Sequence, residues 1–176
     1  LAVLHEYKRW EWGMEFWKHA LVMGLAATAL IDLWAILGKH LLGTPAPNYG
    51  LVGRWLGHMP SGRFHHHSIA AAPAVRGERL IGWAAHYMIG IAFAAVLLGI
   101  WGLEWVQRPT LMPALVVGIG TVVMPFFVMQ PGMGAGIAAR RTPRPQAARM
   151  QSLVTHALFG LGLYVGGWIS HVLHLA

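Results

Sequence analysis

There is no cysteine anywhere in the 176 residues. Disulfides, thiolate metal sites, iron–sulfur clusters and cysteine nucleophiles are excluded by that absence alone. Carboxylates are almost as scarce: six Asp plus Glu stand against 13 Lys plus Arg, and only 11% of residues are charged, against roughly 25% in an ordinary soluble domain. Acidic residues this rare leave little for paired-carboxylate hydrolysis, and no Ser or Thr stands convincingly beside a His and an acid in the manner of a nucleophilic triad. Any metal would have to rest on His, Asp, Glu or Met. The chain is instead rich in apolar residues, which make up 56% of it.

The excess of basic residues, +7 in net charge, would point to nucleic acid in a soluble protein. Here the charges fall between long apolar runs, with no aromatic-basic patch, and the partner they imply is a lipid bilayer rather than nucleic acid. Four runs are long enough to cross the hydrocarbon core, Trp17–Leu37, Leu80–Trp101, Leu111–Met129 and Leu153–Leu175, since a span needs roughly 20 residues. None alternates apolar and polar residues as an outer-membrane strand does, so helices are the remaining option. The expected fold is an all-α membrane protein, a bundle of four transmembrane helices. The first run carries Asp32 and is not followed by a small-residue cleavage pattern, which makes it a retained helix rather than a secretory signal. Residues 1–13, LAVLHEYKRWEWG, differ in character and read either as an upstream extension or as an interfacial aromatic segment; residues 14–176 read as a single four-helix domain.

Basic residues set the expected orientation. Lys39, Arg54, Arg63, Arg76 and Arg79 lie between the first two runs, and Arg140, Arg141, Arg144 and Arg149 between the last two. Lys8, Arg9, Lys18 and Arg108 lie on the other side. The positive-inside bias places both long connections in the cytoplasm and both termini outside. In the first connection, after the breaker Thr44-Pro45-Ala46-Pro47, Asn48 is a candidate cap for a short interfacial amphipathic helix. Its apolar face would be Leu51, Val52, Trp55, Leu56 and Met59, and its polar face Arg54 and His58. A histidine-rich stretch, Arg63-Phe64-His65-His66-His67, follows.

Ionisable groups inside a membrane helix are costly and call for a reason. Asp32, His86 and His156 lie at similar depth on three different runs, and Gln130 on the third run reaches the same level. Gly24 and Thr28 share the face of Asp32, Gly82 and Gly90 that of His86, and Gly160 and Tyr164 that of His156. Small residues on these faces mark the packed side of each helix. Tyr87, Tyr164 and Gln130 complete the expected polar layer. Imidazole and carboxylate suit a divalent transition metal, to which His58 or His65 to His67 could contribute. The same groups could act as a proton relay and serve transport, or the two membrane histidines could ligate a haem. A fourth reading is that they only lock the bundle through interhelical hydrogen bonds, in a non-catalytic structural or assembly subunit. Gly162 and Gly166 offer a glycine-rich face to a homo- or hetero-oligomer. His171 and His174 read as interfacial residues, and Trp17, Trp101 and Trp105 as an aromatic belt. The Gly- and Arg-rich stretch from Met129 to Pro145 lacks the spacing of a phosphate-binding loop; Pro131 and its glycines read as the end of the third helix.

The segments NYGLVGRWLGHMPSGRF, GERLIGWAAHYMIGIAFA, MQPGMGAGIAARRTPRP and SLVTHALFGLGLY together resemble a bacterial membrane-protein family catalogued as domain of unknown function 2938. The resemblance covers nearly all of residues 14–171. It implies a small four-helix protein of the bacterial inner membrane, without assigned catalytic residues.

Overall fold

A computed structural model describes residues 2–44 and 46–173. Pro45, His174 and Leu175, which figured in the expected breaker, interface and fourth span, lie outside the described residues. Apolar runs with no water to satisfy their amides must close every backbone hydrogen bond internally, and helix is the local solution. The elements are α1 (Ala2–Leu42), α2 (Tyr49–His58), α3 (Glu78–Trp101), α4 (Glu104–Gln107), α5 (Leu111–Gly120), α6 (Gln130–Gly132) and α7 (Pro145–Val172). There is no strand among the described residues. Four stretches are long and apolar enough to cross a membrane: Gly13–Leu41, Glu78–Trp101, Leu111–Gly132 and Pro145–Val172.

The bounds depart from the sequence reading most at the starts of α1 and α7. α1 runs without a break from Ala2, so the backbone of residues 2–13 continues the first span. α7 starts at Pro145 rather than Leu153, with the proline at the first helical position, where its missing N–H costs nothing. Arg149, expected in a loop, is therefore helical.

The third span is broken. Pro125 has no N–H to return to Thr121, and the chain passes through a turn at Thr121–Val122 and a π-helical stretch over Pro125–Met129 before α6. α6 ends at Gly132, as the Pro–Gly run suggested.

α1 packs between α3 and α7, and α5 lies on the far side of α7. The core joins Met23 and Ala27 of α1, Ala94 and Leu97 of α3, Ala114 and Val117 of α5, and Phe159 and Leu163 of α7. Small residues allow that closeness: a Cβ on Gly118 would collide with the backbone of Gly160, so α5 and α7 touch main chain to main chain. The outward faces carry Leu25, Leu33, Ile36, Met88, Ile100, Val116, Phe127 and Val165, all exposed. An apolar exterior of this extent is what lipid contact requires.

The two long connections fold onto each other at one end of the bundle. His66 donates its backbone N–H to Gly132 O at 2.9 Å, Ile69 to Met133 O at 3.0 Å, and Trp55 lies over Gly132. Of the expected apolar face of α2, Trp55 is buried here, whereas Leu51, Val52, Leu56 and Met59 are half-buried. Its glycines lead: Gly53 packs against the backbone of Glu78 and Gly82, and Gly50 and His58 are buried with it. Side chains of Leu51, Val52 and Leu56 would hold α2 away from α3, whereas bare backbone does not. Asn48 stands at the N-cap position, but its side chain makes no capping bond.

Candidate functional site

Asp32 lies on α1 roughly 14 Å along the helix axis from Leu41. Its Oδ1 accepts a hydrogen bond from His86 Nε2 at 3.0 Å and from Tyr49 Oη at 3.1 Å. Its Oδ2 accepts from Tyr87 Oη at 2.9 Å. An ionised carboxylate only accepts, so His86 holds its proton on Nε2. The Tyr49 ring stacks on the His86 ring, centroids 4.1 Å apart, and Trp83 closes the group from 4.6 Å beyond Tyr49. Thus α1 supplies the acceptor, α3 two donors and α2 the third. The side chains of Asp32 and His86 keep only 15% and 13% of their exposure, which leaves the bond weakly screened.

Tyr49 reaches Asp32 from outside the spanning helices. Burial first, and then the Asp32 charge, raise its phenol well above the ordinary value, because ionising it would put a second anion beside the carboxylate. On the same short helix, Arg54 makes two 2.8 Å bonds to the carboxylate of Glu78 at the start of α3. A further nitrogen reaches Ala70 O at 3.2 Å and Ala72 O at 3.0 Å. The Glu78 hydrogen bond holds the guanidinium more firmly protonated than a free arginine.

His156 stands apart from this cluster. Its Nδ1 lies 3.0 Å from Thr121 Oγ1 and 3.2 Å from Gly118 O. Thr121 Oγ1 donates to the same carbonyl at 2.7 Å. The break in the third span frees Gly118 O, because Val122 N–H turns to Ile119 O instead. Since that carbonyl can only accept, Nδ1 of His156 carries the proton. Thus His156 repairs the broken helix from across the α5–α7 contact.

The expected metal set is not gathered. Among the described residues no three His, Asp or Glu side chains converge on one point: Asp32 meets His86, but His156 serves Gly118, His58 bonds Pro73 O through Nε2 at 3.0 Å, and His65 is exposed. Alternating helix directions fix depth, but not which neighbour a face meets. Of the expected polar layer, Tyr87 joins Asp32, whereas Gln130 approaches Ser152 at 3.4 Å and Tyr164 packs edge-on against Trp168.

Two groups escaped the sequence reading. Tyr49 was hidden in a loop helix, where an aromatic residue reads as an interfacial anchor. His19 lies inside the first apolar run and belonged with the other membrane histidines; it is 3% exposed, and its Nδ1 lies 2.5 Å from Ser170 Oγ. Glu15, one turn away, pairs with Lys18, so no carboxylate orients this histidine and the Ser170–His19 pair is a lock between α1 and α7 rather than a nucleophile.

The Gly- and Arg-rich segment is no phosphate cradle. The N–H groups of Ala139, Arg140, Arg141 and Thr142 are bonded to carbonyls of the same loop, and Arg149 Nε caps Ala138 O at 2.8 Å, where Ala138 takes a left-handed φ of 46°.

Fold and site together define a multi-pass helical membrane protein with a polar cluster held between helices. The chain belongs to the family described as Protein of unknown function (DUF2938), whose model matches residues 21–170. No curated protein and no solved structure matches it.

Proposed function

We propose that this protein handles protons within the membrane, with Asp32 and His86 as the exchanging pair, in the service of transport. The observation that carries this reading is a carboxylate meeting an imidazole and two phenols drawn from separate helices. Histidine changes charge near neutral pH more readily than any other side chain. A proton taken up at Nδ1 of His86 yields an imidazolium beside Asp32; passing the Nε2 proton to the carboxylate leaves a neutral pair that weak dielectric favours. A cavity of about 30 Å³, lined among others by Thr44, Tyr49, Gln151 and Thr155, adjoins the cluster on the connection side. It has room for a water, and a water there supports exchange with the aqueous phase. We place the protein in the bacterial inner membrane, with both long connections cytoplasmic and both termini outside, on the bias of its basic residues.

The test is proton flux in liposomes loaded with a pH-sensitive dye. Wild-type protein should dissipate an imposed gradient, and Asp32→Asn and His86→Gln should each slow it at least tenfold. Flux that persists in both variants, or none in the wild type, overturns the reading. One observation favours the rival role of a non-catalytic assembly subunit: every donor around Asp32 is satisfied, as in a purely structural lock. That role predicts a stoichiometric complex with other subunits that survives Asp32→Asn.

A further inference from the structure

A second polar cluster lies in the cap formed by the two long connections, away from Asp32. His58, at the end of α2, is buried, and its Nε2–H goes to Pro73 O at 3.0 Å. That bond settles the tautomer: the carbonyl must accept, so Nδ1 of a neutral His58 presents a lone pair. A backbone carbonyl behind one ring nitrogen is the arrangement that orients a metal-ligating histidine. The ring of His66 faces that of His58, centroids 5.1 Å apart and planes at 59°. Both ring nitrogens of His66 are buried and have no hydrogen-bond partner among the described residues. An imidazole always carries at least one N–H and, when neutral, one lone pair, and burying both without partners is unfavourable.

The backbone around the pair is fixed. His66 N–H is tied to Gly132 O at 2.9 Å and the Trp55 indole to Phe64 O at 2.9 Å, so the rings are held by both connections.

We propose that the cap binds a zinc-class divalent cation between His58 and His66. Two imidazoles on one tetrahedral ion, at about 2.0–2.1 Å per nitrogen, bring their ring centres to about 5 Å, the separation seen here. The chain supplies these two nitrogens and solvent the remaining positions, since no third His, Asp or Glu converges on the pair among the described residues. Such an ion would join the end of α2 to the loop that follows it, already tied to Gly132 through His66 N–H, and stiffen the end of the bundle near Asp32, without touching Asp32.

The experiment titrates chelator-stripped, detergent-purified protein with zinc chloride by calorimetry. One equivalent should bind; His58→Gln and His66→Gln should each weaken it at least tenfold, while His40→Gln, on an exposed residue at the end of α1, should not. A His65→Gln/His67→Gln double variant separates the buried seat from surface histidines: binding abolished by that variant yet retained in His66→Gln overturns the proposal, as does no binding by wild-type protein. Should the His58 and His66 variants fail to fold, cobalt chloride added to wild-type protein decides. Intense visible bands of tetrahedral cobalt support the seat, and the pale spectrum of the hydrated ion rejects it. Proton flux through Asp32 is a separate readout, so either result can fail alone.

Discussion

His86 on α3 donates its Nε2–H to Asp32 on α1 across 3.0 Å, and this bond ties two spanning helices together at the point where α2 closes over them through Tyr49. Substituting Asp32→Asn keeps one acceptor but turns an amide N–H₂ toward a donor that carboxylate oxygen accepts. Leaving one such buried donor unpaired costs about 1–3 kcal/mol. The expected outcome is a lower melting temperature in detergent by circular dichroism, with Asp32→Ala lower still; an unchanged melt would show that the cluster does not hold the helices.

The Gly118–Gly160 contact should be intolerant of any side chain. Gly118→Val forces α5 from α7 and pulls Gly118 O from His156, and overpacking of this kind costs about 1–3 kcal/mol. Gly120→Ala is the control, because a Cβ there meets nothing within 4 Å. Equal stability of the two variants, measured by thermal melts, would refute the close packing.

Tyr49 sets an alkaline limit. Its folded pKa is raised above the free value of 10.0, so its contribution to stability is complete below pH 10 and declines as pH rises through the folded value, the unfolded chain giving up its proton first. Phenolate absorbance should therefore appear later in the native protein than in the unfolded one. Tyr49→Phe should remove that part of the alkaline loss; identical pH profiles for wild type and variant would contradict the burial.

Arg54 pins the first connection. Its bonds to Glu78, Ala70 and Ala72 hold the chain between α2 and α3 in place, and Arg54→Ala should release it. Hydrogen exchange over residues 62–76 should quicken while the centres of α3 and α7 stay protected. Uniform protection in the variant would mean the arginine holds nothing.

Because the chain has no cysteine, single cysteines report sidedness without background. Ser61→Cys and Thr142→Cys should react with a membrane-impermeant maleimide only from the cytoplasmic side, and Gln107→Cys only from the opposite side. The reverse pattern would invert the proposed orientation.

Composition and run length alone determined that the chain is a bundle of four helices able to cross a membrane, because a bilayer admits few ways to satisfy a backbone and apolar length is countable. Sequence also marked Asp32, His86 and His156 as costly, since burial penalties depend on residue type. Which of these meet was decided only in three dimensions. Depth follows from alternating helix direction, but azimuth follows from where backbones touch: Gly118 on Gly160 carries His156 to a broken helix, while Gly53 on Gly82 carries Tyr49 to Asp32. Glycine contacts leave no hydrophobic periodicity to read, and the turn at Thr121–Val122 opens the Gly118 carbonyl, whose partner lies 38 residues away in sequence. The pairing of His58 with His66 is of the same kind, a product of the first connection folding back on α2 rather than of any periodicity along the chain.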